Sequence, residues 1–210
     1  MMFIELFAPE GALSEDQRRH LGERLIDVMS EEIAPAEVIE AWRAMCQVVV
    51  YEPEMWIVGG REVDPTEPPR YVVRVSVPGA WRKEMSAEVI SRFTRVLAET
   101  DADPQRLYQE PHAWVQIIGI PEGSCGVFGQ VLRSTDIINM VTKPFREAPE
   151  GRIPADEPAP GTAIDPICGM SVALTDTTIT LEHGGTTYAF CCVGCRTVFA
   201  EQLRAAHPSR

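Results

Sequence analysis

An internal repeat constrains the fold of this chain more than any other feature of its sequence. Two stretches, FIELFAPEG from residue 3 and YVVRVSVPGAW from residue 71, alternate inward apolar residues and then turn at a proline. Alternation at a period of two predicts a half-buried β-strand. The two prolines, Pro9 and Pro78, are about 69 residues apart, and this spacing sets the length of the repeating unit.

Each predicted strand is followed by a predicted helix and then by a second strand. In the first unit Ser14 and Gln17 are spaced for a capping box at a helix start. The apolar stripes predicted for the two helices are Leu21, Leu25, Val28 and Met29 in the first unit, and Met85, Val89, Phe93, Val96 and Leu97 in the second. The second strands are predicted in CQVVVYEPE and AWVQIIGIPEG, and glycine-bearing segments follow both.

A strand–helix–strand connection pairs its two strands in parallel and places the helix on one face of the sheet. Two such units side by side predict an α/β (α+β) body, in which a four-stranded sheet lies under two helices. The other face of this sheet then has no helix to cover it. We therefore expect the chain to form a homo-oligomer.

This body, over about residues 2–135, resembles the tautomerase superfamily typified by 4-oxalocrotonate tautomerase. The segments that carry the resemblance are VRVSVPGAW, before a helix, and the glycine-rich IPEGSCGVFGQ. The resemblance implies trimers of two-unit chains and a catalytic proline with a free amino group. Here methionine precedes the first strand, and Pro69, before the second unit, has its nitrogen in a peptide bond. We expect no proline-based catalysis, and an isomerase or lyase that uses another residue is the alternative function.

The C-terminal part of the chain differs from this body in composition. It contains four of the six cysteines, Cys168, Cys191, Cys192 and Cys195. The preceding stretch, REAPEGRIPADEPAPGTA, is rich in proline and charge and predicts an extended linker. We therefore predict a body over 1–146, a linker over 147–162 and a small module over 163–210.

The small module is predicted to contain a knuckle at DPICGM, a hairpin and a helix. Gly184 and Gly185 separate two strand-like stretches, and Cys191, Cys195, Phe199 and Leu203 recur every four residues along one helix face. Fewer than about fifty residues rarely fold by apolar burial alone, so a metal or disulfides are expected to contribute. Thiolates near a helix start favour soft or borderline ions, here Cu(I), Zn(II) or Hg(II).

The module, over about residues 163–207, resembles a YHS domain, a relative of the TRASH-type metal-binding modules. The segments that carry the resemblance are DPICGMSV and GGTTYAFCCVGCRTVF. The resemblance assigns the cysteine role of the family to Cys168, Cys191 and Cys195, while Cys192 stands where serine is usual and offers a fourth thiol. Two other interpretations stay open, namely thiols that only pack and a redox pair formed by Cys192 and Cys195.

Charge and the absence of long apolar stretches narrow the functional classes. The 31 acidic residues exceed the 19 basic ones, which disfavours binding to nucleic acids and to anionic membranes. The sequence shows no basic, apolar leader and no apolar run near about 18 residues, so we expect a cytoplasmic, reducing location. The sequence therefore predicts a cytoplasmic protein for copper, zinc or mercury handling. The oligomer would display several tails that pass the ion to a partner protein.

Overall fold

The computed structural model describes residues 2–30, 34–64, 66–148 and 158–206. The chain forms two compact units: the first contains the described residues of 1–31 and 45–122, and the second those of 32–44 and 123–210. Much of the predicted linker, residues 149–157, lies outside the described residues, so the predicted domain boundaries stay a prediction. Within the described ranges, every helix is too short or too polar to cross a lipid bilayer.

The helices and strands are defined here in chain order. The strands are β1 (Met2–Phe7), β2 (Cys46–Tyr51), β3 (Ile57–Val58), β4 (Arg61–Glu62), β5 (Tyr71–Pro78), β6 (Ala113–Ile120), β7 (Gly126–Val127), β8 (Gln130–Val131), β9 (Thr162–Ile164), β10 (Ser171–Ala173), β11 (Ile179–His183) and β12 (Thr186–Phe190). The helices are α1 (Glu15–Asp27), α2 (Ala36–Ala44), α3 (Gly79–Glu99), α4 (Arg106–Gln109), α5 (Ser134–Arg146) and α6 (Val193–Ala206).

The first unit contains the four-stranded mixed sheet, with the strand order β2-β1-β5-β6. The pairs β1–β2 and β5–β6 are parallel, and the two pairs meet antiparallel through β1 and β5. Met2 lies opposite Cys46 and Tyr71 lies opposite Ala113, so Met2 and Tyr71 start equivalent strands. This arrangement confirms the predicted α/β (α+β) fold and its internal repeat.

The helix-facing side of the sheet forms the core of the first unit. Ile4 and Leu6 of β1 and Val73 and Val75 of β5 alternate inward and are fully buried. The capping box of α1 forms as predicted: the Gln17 N–H donates to Ser14 Oγ at 3.2 Å, and the Ser14 N–H donates to Gln17 Oε1 at 2.8 Å. Of the two predicted stripes, Leu21, Leu25, Val28, Val89, Phe93, Val96 and Leu97 are buried, whereas Met29 and Met85 are only half-buried.

The opposite face of the sheet exposes large apolar side chains. Trp114 on β6 is 59% exposed, and Tyr51 on β2 is 40% exposed. The Phe7 and Tyr51 rings are stacked with centroids 4.7 Å apart, and the Arg74 guanidinium lies 5.2 Å from the Phe7 centroid. Glu5, Arg74 and Gln116 form a polar row across the same face, so its apolar side chains lie on either side of that row. Exposed apolar side chains on an uncovered sheet face fit the predicted homo-oligomer.

A buried ion pair in the first unit joins the turn after α3 to the start of α4. The Arg106 guanidinium is paired with the Asp101 carboxylate, and both side chains are buried. Arg106 also donates to the Pro69 carbonyl oxygen at 2.7 Å. Burial alone would raise the pKa of Asp101, but hydrogen bonds from Arg106 and from the Asp103 N–H outweigh it and hold that pKa below its ordinary value.

The second unit contains the predicted hairpin and helix together with elements that sequence periodicity did not indicate. Strands β11 and β12 pair antiparallel around Gly184 and Gly185, both at positive φ, and α6 packs on them. Strands β9 and β10 form an additional ribbon around the knuckle. Helix α5 packs between α2 and α6, so α2, which lies between β1 and β2 in sequence, belongs to this unit.

Candidate metal centre

The first cysteine of the site lies in a tight turn between β9 and β10. The Asp165 N–H donates to the Met170 carbonyl oxygen at 2.9 Å, and the Gly169 N–H donates to the Asp165 carbonyl oxygen at 2.8 Å. Gly169 has a φ of 75°, a conformation that side-chain-bearing residues seldom adopt. This turn holds the Cys168 side chain in a buried position.

The other cysteines lie where β12 passes into α6. Cys191 follows Phe190, the last residue of β12, and Cys195 lies in the first turn of α6 and is buried. The first turn of a helix carries unpaired N–H groups and a partial positive charge, which favour a thiolate over a thiol. The fold thus brings the end of a hairpin and the start of a helix up to the β9–β10 turn.

Three sulfur atoms meet at this junction. The Sγ atoms of Cys168 and Cys191 are 3.5 Å apart, and those of Cys191 and Cys195 are 3.7 Å apart. These separations are too long for a disulfide, and all three cysteines are free. They approach the edge of a tetrahedron built with Zn–S bonds of about 2.3 Å, which is about 3.8 Å.

A carboxylate that sequence analysis did not assign completes the cluster. One oxygen of Asp165 and the sulfurs of Cys168, Cys191 and Cys195 all lie within 4.8 Å of one another. Among the described residues, this set can hold a metal ion by the type and proximity of its donor atoms. The four residues are called the thiol–carboxylate cluster below.

Asp165 joins the two segments that carry the thiols. Its side chain is fully buried. Oδ1 accepts from the Ile167 N–H at 2.8 Å and from the Cys168 N–H at 3.4 Å, and Oδ2 accepts from the Cys191 N–H at 2.9 Å. One carboxylate therefore fixes the knuckle and the end of β12 relative to each other.

The pKa of each thiol in the cluster depends on its neighbouring sulfurs. Hydrogen bonds from the Cys191 and Cys195 thiols hold the pKa of Cys168 well below its ordinary value, although burial opposes this. The pKa values of Cys191 and Cys195 are raised, because their protons are held between neighbouring sulfurs and burial disfavours further charge. Burial raises the pKa of Asp165 to about 6, the Cys168 thiolate adds to this effect, and the N–H groups of Cys191 and Ile167 oppose it.

Cys192, predicted as a fourth thiol, lies beside the cluster and outside the group within 4.8 Å. Its Sγ accepts from the Cys195 N–H at 3.4 Å. Hydrogen bonds from the thiols of Cys191 and Cys195 and from two N–H groups lower the pKa of Cys192, although burial opposes this. Its position is that of a second thiolate at the helix start rather than a member of the tight cluster.

Two glycines next to the ligand cysteines lie directly against helix α5. A Cβ atom added at Gly194 would be 2.2 Å from Ile138 Cδ1, and one added at Gly169 would be 2.6 Å from the Phe145 ring and 2.7 Å from Pro35. A side chain would fit at either position only if these neighbouring side chains shifted. The turn that holds Cys168 and the helix start that holds Cys195 are therefore each pressed against a neighbouring apolar side chain.

The structure thus brings together Cys168, Cys191 and Cys195 as their spacing predicts, and it places Cys192 at the edge. Asp165 was missed, although DPIC offered a signal: an aspartate two or three residues before a turn N–H can accept from it. That this aspartate also reaches Cys191, 26 residues away, depends on the tertiary fold.

Comparisons with known proteins leave the family open. No protein-family model matches the sequence, and no curated protein matches it. Among solved structures, the chain is similar to Pt0534 inactivated by 2-oxo-3-pentynoate, at 20% identity and a TM-score of 0.48, covering 61% of this chain and 94% of that chain.

Two further solved structures are similar at the same level. For native fused 4-OT the identity is 21% and the TM-score 0.45, covering 61% of this chain and 94% of that chain. For the macrophage migration inhibitory factor-like protein of Entamoeba histolytica the identity is 10% and the TM-score 0.45, covering 62% of this chain and 98% of that chain. Scores at this level do not establish a family, so the fold assignment rests on strand order and register.

Proposed function

We propose that this protein binds a soft or borderline metal ion through Cys168, Cys191 and Cys195, with Cys192 as an adjacent fourth thiol. The observation that carries the proposal is the meeting of three sulfurs from two distant segments, at separations of 3.5 and 3.7 Å. Thiolates select ions such as Cu(I), Zn(II) and Hg(II), and they are poor ligands for Mg²⁺ or Ca²⁺.

The geometry favours metal binding over simple packing. Thiols that only fill space pack among apolar side chains, whereas these thiols surround a fully buried carboxylate. Burying such a charge among partly ionised sulfurs is costly unless a cation compensates it. Binding of the ion would displace the shared thiol protons and remove this cost.

The same geometry also argues against a redox role for Cys192 and Cys195. A redox pair formed by Cys192 and Cys195 needs two sulfurs that approach each other in preference to other partners. The Cys195 thiol contacts Cys192, but its Sγ also lies 3.7 Å from Cys191 Sγ, which in turn lies 3.5 Å from Cys168 Sγ, so Cys195 is shared among several sulfurs. A shared centre of three sulfurs is the arrangement that a metal site requires.

The cellular role that we propose is metal handling in a reducing cytoplasm. A tautomerase-like body assembled as a trimer would display several YHS-like tails and raise the local concentration of sites. Transfer to a partner protein would proceed by ligand exchange, in which partner thiolates bind the ion as cysteines of this site release it, with Cys192, at the edge of the cluster, as the intermediate ligand.

A tautomerase-superfamily isomerase or lyase is the alternative function, and the tandem strand–helix–strand topology of the first unit favours it. Met2 and Tyr71 start the two equivalent strands and are both buried, while the carbonyl of Pro69 is held by Arg106. Any such catalysis would need a group other than an N-terminal proline. Turnover of an enol pyruvate or an oxalocrotonate-like substrate tests it directly.

Elemental analysis of the full chain, purified under reducing conditions, tests the proposed function. The wild type should contain about one ion per chain, and Cys168→Ser and Cys195→Ser should each lose most of it. Cys125→Ser is the matched control, because the Cys125 thiol, just before β7, is not among the donor atoms of the cluster and its loss should leave the metal content unchanged. Equal metal content in all four proteins would contradict the proposal.

A further inference from the structure

Asp165 contributes a buried carboxylate to the thiol–carboxylate cluster. Its oxygens accept from three N–H donors, on Ile167, Cys168 and Cys191. A side-chain amide would turn its N–H₂ towards at least one of these N–H groups, whereas both oxygens of a carboxylate can accept. The hydrogen bonding therefore favours the carboxylate, and the full burial of this residue keeps water from screening its charge.

The total charge of the cluster distinguishes between ions of different valence. Three thiolates and one carboxylate would bring four negative charges together within 4.8 Å. A divalent ion compensates two of these charges, and a monovalent ion compensates one. Because the residual charge is buried, each uncompensated unit weakens binding more than it would at a surface.

The chemical types of the donor atoms also favour a divalent ion. Zn(II) accepts both cysteine sulfur and aspartate oxygen, whereas Cu(I) is soft and prefers thiolates and thioethers. A carboxylate within 4.8 Å of the sulfurs therefore favours a borderline divalent ion whether it binds the ion directly or acts through its charge. For Cu(I), this oxygen serves only to position the thiols and is not a preferred ligand.

We infer that Asp165 is a specificity-determining residue, which shifts the selectivity of the thiolate site towards a borderline divalent ion such as Zn(II) relative to Cu(I). This inference rests on the proposed function and deepens it. Asp165 also positions both thiol-bearing segments, and loss of that role weakens binding of the two ions by the same factor. The ratio of the two affinities therefore isolates the selectivity role.

The test is a competition measurement on the full chain, with Zn(II) and Cu(I) each titrated against a chelator of known affinity under anaerobic, reducing conditions. Asp165→Asn should lower the Zn(II) affinity by about ten- to a hundredfold. The Cu(I) affinity should fall at least about tenfold less, so that the Zn(II)-to-Cu(I) ratio falls by about tenfold or more.

Two variants control for charge and for position. Asp176→Asn removes the same charge from an exposed turn of the module and should leave the ratio unchanged. Asp165→Glu keeps the carboxylate but moves it, so both affinities should fall while the ratio stays close to that of the wild type.

Three results would overturn the inference. An equal loss of both affinities in Asp165→Asn would reduce Asp165 to a positioning residue. Loss of all binding in that variant would count against selectivity as well, since the inference requires Cu(I) binding to survive. A wild type that binds neither ion would overturn the proposed function itself, whereas an unchanged ratio in a metal-binding wild type overturns the selectivity role alone.

Discussion

In the first unit, two helices cover a four-stranded sheet and bury a continuous layer of aliphatic and aromatic side chains. In the second unit, the cysteine module (described residues 158–206) buries few apolar side chains, and its centre is a carboxylate among thiols. A body of the first kind gains its stability from apolar burial. The cysteine module packs on α5 of its own unit, and if it binds an ion as proposed, that ion adds to its stability.

Removal of metal should produce the largest difference between the two regions. A strong chelator should lower amide-exchange protection in β11, β12 and α6 by about a thousandfold, the effect of an ion present at about a thousand times its dissociation constant. Protection in β1 and β5 should not change. Hydrogen-exchange mass spectrometry of the full chain measures both regions in one experiment.

The control for this prediction is the identity of the ion that is added back. Zn(II) should restore protection in the module, and Mg²⁺ should not, because thiolates are poor ligands for magnesium. An equal loss of protection in β1 and in α6 would show that the two regions do not differ in this way.

A mutation in the first unit should produce the reverse pattern. Arg106→Met leaves the Asp101 carboxylate buried without its partner, which should lower the free energy of unfolding of this unit by about 3–5 kcal/mol. The metal content should not change. Urea unfolding followed by tryptophan fluorescence, together with elemental analysis, measures the two effects.

Arg19→Met is the matched control for that mutation. Arg19 pairs with Glu15 at 3.0 Å on the surface of α1, where both side chains are largely exposed, so its loss should change the free energy of unfolding by less than about 1 kcal/mol. Similar destabilisation by the two variants would contradict the importance given to burial of the Asp101–Arg106 pair.

Sequence predicts the first unit better than the second for a physical reason. The valines of β5 and the capping box of Ser14 and Gln17 depend only on residues that are close in sequence. Burial alternates with the strand period, and a cap involves residues three apart. These features were confirmed. Helix α2 was missed because it contributes to the packing of α5 and α6, whose positions in space the local sequence does not encode.

The thiol–carboxylate cluster shows the same limit at the level of single residues. The spacing of Cys168, Cys191 and Cys195 predicted convergence, since a knuckle, a hairpin and a helix start can meet at one point. The role of Asp165 could not be predicted fully, because one of its three donors is the N–H of Cys191, across the module. Hydrogen-bond donors that lie far apart in sequence can be recognised only once the fold is known.

A smaller effect is expected where the module touches α5. Gly194→Ala should lower metal affinity, because the new methyl group would meet Ile138 Cδ1, and overpacking costs about 1–3 kcal/mol. Alanine is the better helix former, so helix propensity cannot explain a loss. The double variant Gly194→Ala, Ile138→Val removes that Cδ1 atom and should recover most of the affinity. No recovery in this double variant would rule out the contact as the cause.

The smallest effect is expected from a glycine-to-alanine substitution in a helix of the first unit. Gly22 lies inside α1, and a Cβ atom there would have only Val48 Cγ1 nearby, at 3.9 Å, which is an ordinary contact. Gly22→Ala should therefore raise the free energy of unfolding by about 0.5–1 kcal/mol. Thermal unfolding measures this gain, and destabilisation would contradict the open packing of this site.

X-ray absorption spectroscopy of the metal-loaded full chain directly tests coordination of the ion by the three thiolates, because it counts the atoms bound to the ion. We expect at least three sulfur neighbours, at about 2.3 Å if the ion is Zn(II). In a Cys168→Ser, Cys195→Ser double variant this sulfur shell should disappear. A first shell of nitrogen and oxygen alone in the wild type would contradict the assignment of these thiols to a metal site.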